Sequence, residues 1–490
     1  MSRYFSPILL IACFGGLVPP APAQTPSTTP IELGGITMSG SLRTRVESWD
    51  WFSGNANNSY AYPGSILRLS FSESQKTFDW QLELALPFLL GLPDNAIAPG
   101  AQGQLGFGAS YYAANGRETN AAMLFAKQGF IRFKELGGVS GQSLKLGRME
   151  FIDGAEGAPK DPTLAALKRD RIAHRLIGTV GFSDVGRSFD GVQYSLDRSD
   201  LNLTLLAARP TRGVYQVDGW GELNANVFYG ALTREISGKR VSAEWRVFGL
   251  GYSDYRDGVV KTDNRPLSVR TADTDHINIG TYGGHYLQTA QSSAGTIDLL
   301  LWGALQNGSW GRLAQRSGAV AVEAGWQPPV LSTVCPWLRG GLDYGSGDGN
   351  PNDSTHGTFF QILPTPRIYA RFPFFNMMNN RDAFGELMLR PSKDLNIRSD
   401  VHSLALANRN DLWYSGGGMF QPWTFGYTGR PSNGQSSLAT LFDMSADYNV
   451  HSHASLGVYY GRAVGKAVIE SIYPNGKNAN FGYLELTFRM

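Results

Sequence analysis

A stripe of basic residues is the feature of the sequence best suited to binding chemistry. Lys168, Arg171 and Arg175 are spaced i, i+3 and i+7, so on a helix they would share one face. Guanidinium groups bind carboxylates through paired hydrogen bonds, and a row of such weak sites inside a pore could pass a polyanion. On an external loop, the same stripe would be a solvated helix face, which is the ordinary meaning of a charge run.

The residues around this stripe predict one short helix. Asp161 is placed to cap its N-terminus, Pro162 suits the first helical position, and Gly178 lies where the helix would end. The helix falls within Phe151 to Ser188, the first of two stretches that interrupt an otherwise regular strand pattern. The second stretch runs from Gly345 to Arg381. In a wide barrel, both could fold into the lumen.

Two further groups of residues could do chemistry. Asp and Asn residues between Gly347 and Asp353 offer oxygen ligands of the kind calcium prefers, but the EF-hand's distal Glu is missing, so we predict a turn-rich loop and no metal site. His402 and Asp400 share one face of a predicted strand with Arg398, which leaves a barrel-embedded hydrolase open as an alternative. Because no nucleophile can be assigned, we predict a satisfied polar network, no catalytic residue and no cofactor.

Alternation of apolar and polar residues at a period of two runs through most of the chain, between clusters of Gly, Asn, Asp and Pro. Glu244 and Arg246, for example, oppose the apolar residues between Val241 and Val247, and Arg68 opposes Leu67. Charges therefore occupy one face only, as in a barrel with an aqueous lumen, although a β-sandwich with a charged outer face would give a similar pattern. We predict an all-β fold, a transmembrane antiparallel β-barrel of 16–18 strands with long loops partly folded into the lumen.

Composition narrows the class of protein. Charged residues make up 17% of the 490 residues, below the ~25% typical of soluble domains, while Gly (59), Tyr (21) and Trp (11) are abundant. After the N-terminal segment, no apolar run reaches the ~18 residues of a membrane helix. A chain that spans a bilayer without such a helix must close into a barrel. The net charge of +2 does not reveal the charge of the lumen.

The N-terminal segment predicts export. Residues 1–23 have the basic start, apolar stretch and small-residue site of a cleaved signal peptide, which leaves residues 24–490 as the barrel. A lipoprotein cleavage box at Leu10 to Cys13 is the alternative. Cleavage would leave Cys335 without an intramolecular disulfide partner. Strands begin near Ile36, too early for the separate plug domain of a TonB-type transporter.

Three short blocks carry a family resemblance. They are Ser143–Arg148 (Ser-Leu-Lys-Leu-Gly-Arg), Val185–Gly191 (Val-Gly-Arg-Ser-Phe-Asp-Gly) and Phe78–Trp80 (Phe-Asp-Trp). Together they resemble the alginate-export family of outer-membrane porins, over most of the mature chain. The resemblance implies an eighteen-stranded barrel in the bacterial outer membrane, with an arginine-rich constriction for a uronate polymer and inward loops that gate it.

The resemblance also implies which residues line the path. Arg68, Lys127 and Arg148 stand at positions that match basic residues of the family. Arg68 is inward by strict alternation, whereas Lys127 and Arg148 share the parity of the apolar faces of their strands. A β-bulge would be needed to turn these two inward, and Gly129 and Gly147 are candidate places for one.

The function predicted from these observations is diffusive passage of an acidic saccharide or polysaccharide such as alginate. A general porin for small polar solutes is the main alternative. Outer-membrane lipid and lipopolysaccharide would surround the barrel, export would imply partners in the periplasm, and no nucleic acid is expected. The predicted path residues are Arg68, Lys127, Arg148, Lys168, Arg171, Arg175, Arg246 and Arg398.

Overall fold

Eighteen of the alternating segments form long strands, and each one pairs antiparallel with the next along the chain. The computed structural model describes residues 30–490, so the signal peptide predicted at 1–23 lies outside the described residues. The strands are β1 (Ile36–Asp50), β2 (Ser59–Ser74), β3 (Phe78–Leu89), β4 (Phe125–Lys134), β5 (Gln142–Met149), β6 (Phe189–Asp197), β7 (Leu201–Pro210), β8 (Ala225–Ile236), β9 (Val241–Asp254), β10 (Ile277–Ser292), β11 (Gly295–Trp310), β12 (Leu313–Gln327), β13 (Trp337–Gly345), β14 (Asn380–Ser392), β15 (Leu395–Leu406), β16 (Ser437–His451), β17 (Ala454–Gly465) and β18 (Asn478–Arg489).

The sheet closes on itself through its first and last strands. β1 pairs antiparallel with β18 from Ser41 opposite Arg489 to Asp50 opposite Asn480. The fold is therefore a closed barrel of 18 strands, which confirms the predicted fold class at the upper end of the predicted count and excludes the sandwich. None of the described helices is long and apolar enough to cross a bilayer.

The two faces of the barrel follow the alternation of the sequence. On β9, Val241 and Val247 are about half exposed, whereas Glu244 and Arg246 are 2% and 1% exposed. A strand of a closed sheet presents alternate side chains to opposite sides, so the apolar set faces outward and the charged set faces the lumen. The predicted parity is thus confirmed on this strand.

The two ends of the barrel differ in the length of their connections. One end of the barrel contains the start of β1, the end of β18 and eight connections of two to nine residues; we call it the short-turn end. Five connections at the opposite end exceed 20 residues; they span residues 90–124, 150–188, 255–276, 346–379 and 407–436. Two of these, 150–188 and 346–379, correspond to the interruptions seen in the sequence.

Helices are short and lie in the connections. They are α1 (Phe107–Ala114), α2 (Pro162–Leu167), α3 (Leu267–Ala272) and α4 (Ala467–Ile472), with 3₁₀ turns at Leu136–Gly138 and Pro366–Ile368 and a π turn at Lys168–Ile172. Minor strands are Ile31–Leu33, Ala121–Ala122, Thr355–His356 and the hairpin of Leu412–Gly416 with Tyr427–Pro431.

Helix α2 begins as predicted but ends earlier. The side chain of Asp161 accepts hydrogen bonds from the backbone N–H groups of Thr163 and Leu164 at 2.9 and 3.0 Å, and Pro162 is the first helical residue. The end predicted at Gly178 is wrong, because the helix gives way to the π turn after Leu167. The π turn ends at Ile172, and the residues after it follow contacts with the barrel wall and the neighbouring loops, such as the hydrogen bond from His174 N–H to Asp153 O at 3.0 Å.

Long loops fold into the barrel and pack on one another. We call the loops 90–124, 150–188, 346–379 and 407–436 the loop plug. Backbone hydrogen bonds join its members, for example Gly178 N–H to Leu363 O at 2.8 Å and Thr365 N–H to His174 O at 3.0 Å. Buried aromatic residues from these loops form one cluster with the upper strands, and they include Tyr111, Phe372, Phe374, Trp413 and Tyr414. The loop plug therefore fills the lumen at the long-loop end with a packed core.

Candidate channel vestibule

A cavity of about 1270 Å³ lies below the loop plug, toward the short-turn end, and we call it the vestibule. Its walls come from the lower halves of the strands, and its roof comes from the loops 150–188 and 346–379. Nine arginines line it: Arg43, Arg45, Arg68, Arg169, Arg367, Arg371, Arg390, Arg398 and Arg489. Five carboxylates line it: Glu150, Asp161, Asp170, Asp447 and Glu485. The charged lining is therefore predominantly basic.

Four of the lining arginines have no carboxylate partner. Among residues 30–490, no salt bridge involves Arg367, Arg371, Arg390 or Arg489. Their hydrogen-bond acceptors are neutral: Tyr483 Oη, Ser445 Oγ, Asn396 Oδ1 and Ser455 Oγ, at 3.1, 2.6, 3.0 and 3.0 Å. These guanidiniums keep their full charge available to an anion in the vestibule. None of these four arginines is among the path residues predicted from the sequence.

Aromatic rings surround Arg367, one of these four arginines. The guanidinium of Arg367 lies 4.3 Å from the ring centroids of Phe182 and Tyr459 and 5.3 Å from that of Tyr483. Arg45 lies 3.9 Å from the centre of the Phe182 ring on another side. Cation–π contacts hold the guanidinium of Arg367 without neutralising it. This corner of the vestibule therefore combines positive charge with flat apolar surfaces.

Other lining arginines secure the roof. Arg43 donates to the carbonyl oxygens of Gly181 and Ser183 at 2.7 and 2.5 Å. Arg45 donates to the Phe182 carbonyl oxygen at 2.7 Å and forms a salt bridge of 2.5 Å with Glu485. These two residues of β1 thus hold the end of the loop 150–188 against the wall.

The predicted basic stripe lies in the loop plug and not in the vestibule. Lys168, Arg171 and Arg175 are at most 3% exposed. Arg171 forms paired hydrogen bonds with Glu323 at 2.8 and 2.9 Å, and Arg175 contacts Glu323 at 2.9 Å and Asp343 at 3.1 Å. The interpretation as a solvated helix face is therefore wrong. The stripe does bind carboxylates inside the lumen, but they belong to the barrel wall.

Lys168 completes the same arrangement on a neighbouring part of the wall. Its ammonium group donates to the carbonyl oxygens of Glu156 and Gly157 at 2.6 and 2.7 Å and to Glu244 at 3.0 Å. Burial lowers the pKa of Lys168, although the charge of Glu244 opposes this effect. On the opposite side of the turn, Arg169 and His174 do line the vestibule.

Two of the residues carried over from the family face the lumen. Arg68 lines the vestibule and lies 3.4 Å from Glu83 and 3.5 Å from Glu150. Glu83 pairs with Gln128 and the next residue of β3 pairs with Ala126, so Lys127 is the extra residue of a β-bulge. The bulge turns Lys127 inward, as required by the parity argument, but it lies at Lys127 itself and not at Gly129. The ammonium group is fully buried and donates to the Arg187 carbonyl oxygen at 3.0 Å.

Arg148 lies elsewhere. It shares the outward parity of the exposed Leu146 on β5, and no register shift interrupts the pairing of β4 with β5. Its guanidinium binds Asp190 through two hydrogen bonds of 2.7 and 2.6 Å and donates to the carbonyl oxygen of the exposed Trp220 at 2.8 Å. The structure therefore places Arg148 on the outer side of the barrel rim, and the bulge suggested at Gly147 is absent from this described pairing.

The last two predicted residues face the lumen in different regions. Arg246 is buried under the loop 150–188, where its guanidinium lies 3.4 Å from Glu156. Arg398 lines the vestibule and forms salt bridges with Glu386 at 2.5 Å and Asp400 at 2.9 Å. Of the eight predicted path residues, the structure therefore brings only Arg68 and Arg398 to the vestibule.

A closed 18-strand barrel with an apolar exterior and a charged, water-accessible lumen is the architecture of a bacterial outer-membrane channel. The chain belongs to the alginate export family, whose model matches residues 37–472. No curated protein matches the sequence. In such barrels the short turns face the periplasm, so the vestibule lies on the periplasmic side and the loop plug on the extracellular side.

Solved structures of outer-membrane proteins share the fold. OpdK from Pseudomonas aeruginosa is 10% identical with a TM-score of 0.51, and the match covers 92% of this chain and 98% of that chain. A structure of the same protein with vanillate gives 9% identity and a TM-score of 0.52, with the same coverage. OccAB2 from Acinetobacter baumannii is 8% identical with a TM-score of 0.57, over 93% of this chain and 98% of that chain.

Proposed function

We propose that this channel passes acidic saccharides, with alginate-like uronate oligomers or polymers as the cargo class. The observation that carries the proposal is the group of four vestibule arginines without carboxylate partners. Each repeat of a uronate chain carries one carboxylate, which a guanidinium binds through two hydrogen bonds. Family membership supports the same cargo class.

The shape of the arginine-rich corner also favours a ring-bearing anion. Sugar rings have apolar faces that can lie against Phe182 or Tyr483 while a carboxylate reaches Arg367 or Arg371. A site that offers both contacts discriminates against inorganic anions, which have no such face. OpdK, which shares the fold of this chain, has a solved structure with the organic acid vanillate. Small organic acids are therefore the second candidate class of cargo.

Passage through this channel requires the loop plug to move. The vestibule accepts cargo from the periplasmic side, whereas the packed loops occupy the extracellular half of the lumen. A polymer would therefore enter the vestibule first and displace the loops as it advances. Several weak arginine sites suit such a path better than one tight site, because a tight site would retain the chain.

Ion selectivity in planar bilayers tests the charge of the path. Under a salt gradient, the reversal potential of the wild-type channel is expected to indicate a preference for anions. Arg68→Glu and the pair Arg367→Gln with Arg371→Gln should each reduce this preference. Arg148→Gln removes one positive charge from the outer rim and should leave the reversal potential unchanged. Cation preference in the wild type would exclude the proposal.

Blocking experiments distinguish the cargo classes. Uronate oligomers added on the vestibule side should interrupt the current more than neutral oligosaccharides of the same length, and Arg367→Gln should shorten each interruption. Vanillate or another small aromatic acid is the comparison. Equal currents with and without uronate oligomers would favour a general porin for small polar solutes.

A further inference from the structure

Carboxylates face one another across three neighbouring strands of the lumen wall. Glu386 on β14 pairs directly with Asp400 on β15, and Asp400 pairs directly with Asp443 on β16. All three side chains are at most 5% exposed. Like charges at directly opposed positions of a sheet destabilise it, and burial increases the cost because solvent no longer screens them. This arrangement therefore needs cations.

Arginine supplies only part of the compensation. Arg398 forms salt bridges with Glu386 and Asp400, at 2.5 and 2.9 Å. Asp443 has no such partner: it is 3% exposed, and neither of its carboxylate oxygens accepts a hydrogen bond. A buried carboxylate without hydrogen bonds is strongly unfavourable, because it has lost its hydration and gained no replacement. The two oxygens of Asp443 are therefore available to a cation.

His402 presents a second unpartnered atom to the same place. Its Nδ1 atom is 2.8 Å from an oxygen of Asp382, and its Nε2 atom is buried with no hydrogen-bond partner. Histidines that bind metals commonly donate from one ring nitrogen to a carboxylate, which fixes the ring and leaves the other nitrogen as the ligand. The pair of Asp382 and His402 has this arrangement. The hydrolase alternative named no nucleophile for His402, and the hydrogen-bonded partner of its Nδ1 atom is the carboxylate of Asp382.

We propose that Asp400, His402 and Asp443 bind one divalent transition-metal cation of the zinc class. One ligand atom from each of these residues lies within 4.8 Å of the other two. In a tetrahedral zinc site with bonds of about 2.0–2.2 Å, ligand atoms are about 3.4 Å apart, so binding would draw these side chains together by about 1 Å. The fourth position would be open to water.

The donor set and the local charge agree on the kind of cation. One imidazole nitrogen and two carboxylates suit zinc and its neighbours, whereas calcium and magnesium prefer oxygen ligands throughout. Four carboxylates surround the site: Asp382, Glu386, Asp400 and Asp443. Two guanidiniums accompany them: Arg398 and Arg371, the latter donating to Ser445 at 2.6 Å. The carboxylates outnumber the guanidiniums, so a divalent cation would offset more of the excess negative charge than a proton on His402 would.

The cation would join strands at the level where the loop plug meets the wall. Asp400 and His402 belong to β15 and Asp443 belongs to β16, so the ion would hold these strands together across the lumen face. The ring of His402 is stacked on Phe384 of β14 and touches Phe375 of the loop 346–379, at centroid distances of 5.8 and 6.0 Å. This role is independent of the proposed cargo.

Metal titration of the full protein tests the site. The chain is purified without a histidine tag in detergent, stripped with a chelator, and titrated with Zn²⁺ by calorimetry, with the bound metal measured by mass spectrometry. We expect one Zn²⁺ per chain. Asp443→Asn and His402→Gln, which nearly preserve size, should weaken binding at least ten-fold. Asp382→Asn alters only the positioning of His402 and should weaken it by about 10- to 100-fold.

Spectroscopy and matched controls make the outcome decisive. Co²⁺ in place of Zn²⁺ should give the intense visible bands of a four-coordinate site in the wild type, and Asp382→Asn should shift them. His285→Gln changes another buried lumen histidine, and His451→Ala with His453→Ala removes an exposed pair whose rings are 5.5 Å apart. These controls should leave the stoichiometry at one ion.

Folding of each variant is checked by its heat-dependent mobility in gels. The proposal is overturned if the wild type binds no ion and shows no Co²⁺ bands. It is also overturned if Asp443→Asn and His402→Gln bind as the wild type does, or if only the His451 and His453 variant loses the ion. Anion selectivity is measured separately, so failure here leaves the proposed cargo untouched.

Discussion

Arginines serve opposite purposes in the vestibule and in the loop plug. Arg367 and Arg371 in the vestibule are half-buried, whereas Arg171 and Arg175 in the plug are 1% and 0% exposed. The two plug arginines share Glu323 and Asp343 between them. Four vestibule arginines have no carboxylate partner at all among the described salt bridges. Burial therefore decides whether a guanidinium fastens the protein or remains available to cargo.

The physical reason is the cost of removing a charge from water. A buried guanidinium loses its hydration and must recover that free energy from a carboxylate, while a partly solvated one need not. Charge density in the sequence is consequently a poor guide to the charge of the path. The richest basic run of the loop 150–188 is neutralised by the wall, and isolated arginines from several strands and one loop form the basic surface.

The largest expected effect comes from removing the shared carboxylate of the plug. Glu323→Gln leaves Arg171, Arg175 and Arg339 with one fewer negative charge in a buried site. Breaking a buried ion pair in this way costs about 3–5 kcal/mol. We expect the free energy of unfolding in urea to fall by that amount and the mean conductance to rise as the plug loosens.

Glu470→Gln is the matched control for that change. Glu470 forms a salt bridge with Lys477 in which both side chains are about half exposed. Such a surface pair contributes about 0–1 kcal/mol. If the two substitutions had equal effects on unfolding and conductance, the distinction between buried and solvated charge would fail.

Acid should weaken the plug through His174. Burial lowers the pKa of His174 from its ordinary value of 6.5 to about 4, so the docked loop disfavours the protonated ring. Above pH 6.5 the histidine is neutral in both the docked and the released loop. Between pH 6.5 and about pH 4 it is protonated in the released loop but still neutral in the docked loop. Docking therefore loses stability progressively as the pH falls through this window, by about 3 kcal/mol in total at 1.36 kcal/mol per pH unit.

The measurement is the fluctuation of the channel current between pH 7 and pH 4, and the effect of His174 is isolated by comparing the wild type with a variant. In Asp153 of the same loop, acid has the opposite effect on docking. Burial raises the pKa of its carboxyl from 3.8 to about 6, so the docked loop binds a proton at a higher pH than the released loop does. The comparison is therefore between the wild type and His174→Asn, which tolerates the positive φ of 69° at this position. The wild type should become noisier in acid than the variant; parallel pH profiles would contradict the assignment to His174.

A smaller effect is expected at the start of α2. Asp161→Ala removes the side-chain acceptor for the N–H groups of Thr163 and Leu164. Loss of an N-cap costs about 1 kcal/mol. Proteolysis of the folded protein within the loop 150–188 should become faster by a corresponding factor of about five. Asp161→Asn keeps an acceptor and should stay close to the wild type.

The smallest effect on stability is expected in the vestibule itself. The guanidinium of Arg390 donates only to Asn396 among the described contacts, at 3.0 Å. Arg390→Gln should change the free energy of unfolding by about 0.5 kcal/mol. It should nevertheless shift the reversal potential toward cations, because one uncompensated charge has left the path. A large loss of stability without a change in selectivity would place Arg390 with the plug arginines.

Local patterns in the sequence predicted the strands and the start of the helix. The period of two assigned Glu244 and Arg246 to the lumen because a closed sheet enforces strict alternation. The cap at Asp161 was predictable because capping involves only the next three residues. The end of the helix was not, since contacts with strands about 150 residues away redirect the chain after Leu167.

The candidate site was less predictable, for reasons of register and burial. Lys127 faces inward only because a bulge shifts β4 against β3, and Arg148 stays outward because β5 has no such shift against β4. Arg367 and Arg371 lie in a loop without periodicity, so no sequence pattern predicts that their side chains face the lumen. The resemblance to the family gave the class of channel, but it could not say which guanidiniums the wall had already neutralised.

The seam between β1 and β18 has a consequence for assembly. Its hydrogen bonds join residues more than 400 positions apart, so they cannot form until the last strand is available. Until then, both edge strands expose unpaired backbone groups that could pair with another chain. Bringing such distant segments together is also entropically slow. The unclosed barrel therefore has to be kept from aggregating during its biogenesis, and the pairing of β1 with β18 is the step that closes it.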